Sequence, residues 1–194
     1  MEKILLVIGD AGEVMDTMGP LYRLGEDYEV VVAAPEKRVY HLVQHEREPG
    51  WDITVERPAY HLAATIAFRD VAPEQYVGLV LPGGRAPKYL RYDDDLIRIT
   101  KHFFQEEKPV ASICHGIEII AAADMIRGRE VTTIPKCRYD AEFRGATYLE
   151  QSVVVSDRLV CCQGKKDISP WMKTFTDVLE HYLASRPVRQ SQIH

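Results

Sequence analysis

Little in this chain of 194 residues can serve as a covalent or metal framework. It has four cysteines, Cys114, Cys137, Cys161 and Cys162, two of them adjacent, with no C-x-x-C pair and no other zinc spacing. That pattern argues against a secreted disulfide scaffold and makes a reducing cytoplasm the expected compartment. Basic excess is also missing. The chain has 24 Lys and Arg against 29 Asp and Glu, for a formal charge of −5. This balance favours solubility and argues against nucleic acid as a partner. Long apolar runs are absent too. The stretch Lys3 to Ile8 (KILLVI) is too short for a signal-peptide core or a membrane span, so no membrane partner is expected. There is no internal repeat and no low-complexity tract.

What remains is ordinary globular material, 46% hydrophobic and 27% charged. The length suits one domain over residues 1–184, with a polar tail over 185–194 that is expected to fray. Short apolar runs stop at Gly or Pro at Lys3 to Ile8, Tyr28 to Ala34, Val77 to Leu81 and Pro109 to Cys114. They read as strands buried on both faces, the habit of parallel sheets. Helical patterns lie between and after them. The spacing predicts helices over Glu13 to Leu24, Asp93 to Glu107, Ile117 to Met125 and Ser169 to Ala184, the last with Ser169 as its cap. Val153 to Val155 and Leu159 to Cys162 read as a late hairpin. Residues 36–71 lack a clean period and read as a hairpin or covering insertion, with Trp51 to Val55 as one strand. Strand and helix in alternation predict an α/β sandwich with a mostly parallel sheet.

One segment stands out for chemistry: Ala111-Ser112-Ile113-Cys114-His115-Gly116. A buried strand enters a turn and then a buried helix, the setting in which a nucleophile is lifted above a sheet edge. The helix start is expected to lower the Cys114 pKa and favour its thiolate. The alternative is a small buried hydrophobe, as most free cysteines are. Of the others, Cys161 and Cys162 read as strand filling with at most one side chain on the core side, and Cys137 reads first as a small buried hydrophobe, with a secondary reactive thiol as the alternative. Two further loops leave the same edge. One is Gly9-Asp10-Ala11-Gly12-Glu13, in which Asp10 either caps a helix or faces a ligand. The other is Pro82-Gly83-Gly84-Arg85, whose glycines can aim N–H groups at a substrate oxygen.

The segments KILLVIGDAGEVMD, VGLVLPGGRAP, KPVASICHG, Met125 to Arg129 and Asp167 to Met172 together resemble the PfpI/ThiJ superfamily. The resemblance runs from Lys3 to about Leu183. It implies a flavodoxin-like three-layer sandwich, similar to class I glutamine amidotransferases, and a homodimer or larger homo-oligomer. It implies Cys114 as nucleophile, His115 as the adjacent histidine and Glu13 as the acidic residue after the first strand. Gly83, Gly84 and Gly116, with the backbone after Cys114, would supply the oxyanion-binding and substrate-binding elements. An ionised Glu13 would raise the thiol pKa, so the useful form is a protonated acid that donates a hydrogen bond to the sulfur.

Two departures stand against this pattern. The peptidases of the superfamily have a glutamate where this chain has Lys88, and a lysine cannot accept the histidine N–H. After the elbow the family has Pro-Gln where this chain has Ile117-Glu118. Glu118 either reaches the pocket, pairs with Lys88 or an arginine, or is a solvated charge. His41, His45 and His61 lie in the insertion, and no metal site is expected there because no helix carries the His41 and His45 spacing.

The resulting expectation is a cysteine-dependent enzyme that acts on a small electrophilic substrate and needs no cofactor. The resemblance implies glyoxalase-like or deglycase-like action, or hydrolysis or hydration of a small molecule. The alternatives are a PfpI-type peptidase, weakened by Lys88, and a redox-sensing stress protein in which Cys114 is oxidised without turnover.

Overall fold

A strand buried on both faces needs apolar residues at every position, and the run Ile4 to Ile8 supplies them. Ile4, Leu6 and Ile8 enter one apolar layer, and Leu5 and Val7 enter the other. The computed structural model describes residues 1–187. Most of the expected polar tail therefore lies outside the described residues.

The chain forms β1 (Lys3–Val7), α1 (Val14–Leu24), β2 (Glu29–Ala34), β3 (Val39–Glu46), β4 (Val55–Ala63), β5 (Ile66–Ala67) and β6 (Gly78–Leu81). It continues with α2 (Pro87–Leu90), α3 (Asp94–Gln105), β7 (Val110–Ile113), α4 (Ile117–Ala122), β8 (Glu130–Val131) and α5 (Arg138–Glu142). Last come β9 (Thr147–Tyr148), β10 (Val153–Ser156), β11 (Leu159–Cys162) and α6 (Ile168–Ser185). Seven strands make one sheet in the order β10-β11-β7-β6-β1-β2-β5, parallel throughout except for the β10–β11 hairpin. This is a flavodoxin-like arrangement with a mostly parallel sheet. Strand order reverses beside β1, which opens a crevice at the C-terminal strand ends.

Helices cover both faces. On one side α6 lays Trp171, Met172, Phe175 and Leu179 against Ile4, Val80, Ile113 and Cys162. The Trp171 indole N–H donates to Val160 O at 3.0 Å, which satisfies its polar group inside the core. On the other side Leu96, Ile99 and Phe103 of α3 join Ile117 and Ile120 of α4 against Leu79, Leu81 and Cys161. Cys161 and Cys162 are therefore both fully buried, one on each face. The expectation of one core-facing cysteine fails because this sheet has two core sides.

Several boundaries move. Helix α6 begins at Ile168, with Asp167 rather than Ser169 in the capping position and no side-chain cap bond. Helix α4 ends at Ala122, short of the expected Met125, because Asp124 turns left-handed at φ 55°. Trp51 to Thr54 are irregular, following a turn at Pro49-Gly50, and the strand expected there begins at Val55. The insertion is a two-stranded antiparallel hairpin, β3 with β4. Among the described residues no helix is long and apolar enough to cross a membrane.

Candidate active site

Three loops meet at the C-terminal edge of the sheet. The turn after β7 puts Cys114 at φ 54°, in the left-handed region that a side-chain-bearing residue seldom adopts. Its carbonyl accepts a 2.5 Å hydrogen bond from Thr133 Oγ1, which helps hold this strained backbone. The loop after β6 supplies Gly83 and Gly84. Gly84 takes φ 82°, in the left-handed region that favours glycine, and its backbone N–H, with that of His115, works to lower the Cys114 thiol pKa. A side chain at Gly83 would come within 2.6 Å of Cys114 Cβ and 2.7 Å of Asp16 Oδ2. At Gly116 a Cβ would overlap Leu81 O. The close packing of loop on elbow thus depends on these glycines.

The loop after β1 brings two carboxylates. Glu13 caps α1, with its Oε2 accepting from Met15 N at 2.6 Å and Asp16 N at 3.0 Å. Its Oε1 is buried with no hydrogen-bond partner and lies 4.0 Å from Lys165 Nζ. The expected Glu13 hydrogen bond to sulfur is absent. The acid beside Cys114 is Asp16, one helical turn further on. Asp16 is 1% exposed and accepts from Gly83 N at 3.3 Å. Burial, reinforced by Glu13, pushes the Asp16 carboxyl well above its usual range and so favours its neutral acid form. Asp10 does not cap the helix, a place that Glu13 takes. It accepts from Arg38 at 2.7 Å and from His41 N at 2.9 Å, tying the loop to the hairpin.

The Cys114 thiol is likewise pushed up, first by burial and then, whenever Asp16 ionises, by that neighbouring carboxylate, against the opposing N–H groups of Gly84 and His115. The expected lowering by a helix dipole is outweighed. A 3-10 turn over Cys114–Gly116 intervenes before α4, which is only six residues long.

Beside the elbow lies a second group. His115 Nδ1 is 3.0 Å from Cys137 Sγ and 3.4 Å from Glu118 Oε1. Lys88 Nζ donates to the same Glu118 oxygen at 2.6 Å. Burial works to raise the Glu118 carboxyl, but His115 and Lys88 outweigh it and leave it below its ordinary value. Of the readings open for Glu118, the structure shows the pairing with Lys88. It also shows a carboxylate facing His115, from within the chain itself. Cys137, far from its partners in sequence, is fully buried, and its thiol is raised by burial and by Glu118.

The β3–β4 hairpin lies over this edge. Ala11 N donates to His41 O at 2.8 Å and Val43 N to Gly12 O at 2.9 Å. Lys165 reaches His45 O, and Arg85 pairs with Glu56, whose carboxyl it lowers to about 2. The hairpin histidines form no metal cluster. The His41 ring packs at a tilt on its cross-strand partner His61, centroids 4.2 Å apart, and His45 binds Glu56 at 3.0 Å. A polar groove of about 400 Å³ lined by Lys3, Tyr76, Val77 and Lys108 opens at the opposite end of the strands, away from these groups.

Residues 2–177 match the model of the DJ-1/PfpI family. A deglycase of Thermococcus kodakarensis is 33% identical over 177 residues, 91% of this chain and 99% of that protein. Deglycase PfpI of Pyrococcus furiosus is 31% identical over 179 residues, 92% of this chain and 99% of its own. Among solved structures, a two-domain protein of Anabaena variabilis with DJ-1/ThiJ/PfpI-like and ferritin-like domains superimposes with a TM-score of 0.79 at 21% identity, covering 100% of this chain and 52% of the other. With a cysteine elbow, a glycine pair folded onto it and a match along nearly the whole sequence, this chain belongs to the DJ-1/PfpI family.

Proposed function

We propose that this protein is a cysteine-dependent enzyme acting on a small reactive carbonyl compound, as the name deglycase suggests for its relatives. One observation carries the proposal: Cys114 sits on a left-handed elbow against the Gly83-Gly84 loop, where the backbone N–H groups of Gly84 and His115 act to lower its thiol pKa. A carbonyl carbon bonded to that sulfur would bring its oxygen within reach of the same two donors.

The protonation states fit an addition. Sulfur forms a bond to the carbonyl carbon while the C=O π pair moves onto oxygen. The thiol proton leaves sulfur, and a proton reaches the new alkoxide, giving a hemithioacetal with no net change in charge. Neutral Asp16 is able to donate one proton and accept the other. Because burial keeps the Cys114 thiol protonated at rest, this coupled transfer is the route open to it. The hairpin over the elbow favours small molecules over an extended polypeptide, and Lys88 stands where the peptidase pattern has a glutamate.

Methylglyoxal depletion by the purified chain tests the proposal. The Cys114→Ser variant, with wild-type circular dichroism, is expected to lose at least about a hundredfold in rate. Full turnover by that variant would refute the nucleophile. Peroxide-dependent oxidation of Cys114 with no turnover of any small carbonyl would favour the redox-sensing alternative.

A further inference from the structure

We propose that His115, Glu118 and Cys137 form a binding site for a zinc-like divalent cation, and that the Lys88 ammonium competes for it. The three candidate ligand atoms are His115 Nδ1, Glu118 Oε1 and Cys137 Sγ. They are separated by 3.0 Å (N to S), 3.4 Å (N to O) and 3.7 Å (S to O). A tetrahedral zinc ion with ordinary bond lengths needs ligand separations of about 3.4 to 3.6 Å. Two of the three edges are thus within about 0.1 Å of one tetrahedral face, and the third needs only a small opening of the Cys137–His115 contact. Imidazole, carboxylate and thiolate together suit zinc rather than magnesium or calcium.

A separate observation points to an absent ligand. Glu118 is 1% exposed, and its Oε2 is buried with no hydrogen-bond partner. A buried carboxylate oxygen left bare is costly, and a cation drawn to this carboxylate would offset that cost. The group already attracts positive charge, because Lys88 Nζ lies 2.6 Å from Glu118 Oε1. The Lys88 side chain is 53% exposed, so it can swing into water and release that oxygen. On binding, a metal–sulfur bond replaces the Cys137 S–H bond, and the proton goes to solvent. With three protein ligands the fourth position is left for water or a small ligand. Cys114 and Asp16 take no part, so the site does not depend on the proposed carbonyl chemistry.

The test is a titration of Co²⁺ into the full chain, followed by displacement with Zn²⁺. The expected result is one cobalt per chain, with a thiolate-to-cobalt charge-transfer band in the near ultraviolet. The band should persist in Cys114→Ser and vanish in Cys137→Ser. Affinity should fall at least about tenfold in Glu118→Gln and rise in Lys88→Met, each variant first shown to fold by circular dichroism. A band that survives Cys137→Ser, or that disappears in Cys114→Ser, would overturn the assignment. So would its absence from both the wild type and Lys88→Met. If Cys137→Ser does not fold, the opposite shifts in Glu118→Gln and Lys88→Met decide the question.

Discussion

Cys114 and Asp16 are both weak acids, and burial favours the uncharged form of each. For Asp16 this has a thermodynamic consequence. Folding raises its pKa above the ordinary 3.8, so the native state binds the proton more tightly than the unfolded chain does. Its contribution is most favourable below that ordinary value, declines as pH rises toward the folded pKa, and levels off above it. Asp16→Asn removes the cost of ionising a buried acid. It is expected to stabilise the protein at neutral pH by roughly 1–3 kcal/mol in urea denaturation, while lowering carbonyl turnover by about a hundredfold or more. A variant that loses stability and keeps its activity would show Asp16 to be a structural acid. Glu13 and Asp16 also mark a limit of reading from sequence. Two carboxylates three residues apart are equivalent in pattern, and the cap separates them. Glu13 spends an oxygen on its own helix start, and the position facing sulfur falls to Asp16.

At the scale of elements, the elbow depends on the loop that packs against it. Gly84 at φ 82° lies in a left-handed conformation, and any Cβ there would collide with the backbone of Ala11 and Glu13. Gly84→Ala is therefore expected to cost about 2 kcal/mol or more in thermal or urea unfolding, well beyond an ordinary surface substitution. A loss below about 0.5 kcal/mol would show that the loop relaxes freely. The strands and long helices were legible in the sequence because apolar run length and 3.6-residue spacing are local properties. The elbow was legible because strand, cysteine and glycine follow one another directly. The Cys137–His115 contact was not, because it joins residues 22 apart that meet only when the loop after β8 folds back. The Thr133 bond to Cys114 O was hidden for the same reason. The short β5, β8 and β9 carry too few residues for a period to show.

Over the whole molecule, the covering of the sheet on both faces sorts the four thiols by reactivity. Cys161 and Cys162 are buried on opposite faces, and burial raises each thiol to about 12. Cys137 is fully buried, and only Cys114 is partly accessible. Iodoacetamide is expected to label Cys114 first, at a rate that climbs as pH rises toward its elevated pKa. Cys161 and Cys162 should label only as fast as the protein unfolds, and peptide mass spectrometry resolves the four sites. Labelling of Cys161 or Cys162 at the Cys114 rate in native buffer would contradict the two-sided core.

The β3–β4 hairpin is fastened in two different ways. Near its base, backbone groups of His41 and Val43 bond to the loop after β1. Farther out it is held by side chains, through Arg85 to Glu56 and Lys136 to Thr54. The turn between the strands, residues 47–54, belongs to neither the sheet nor the elbow. Such an arrangement is modular. The outer hairpin can be lengthened, trimmed or exchanged while the inner anchors and the chemistry beneath them stay in register. That makes it the natural handle for retuning substrate size by loop grafting.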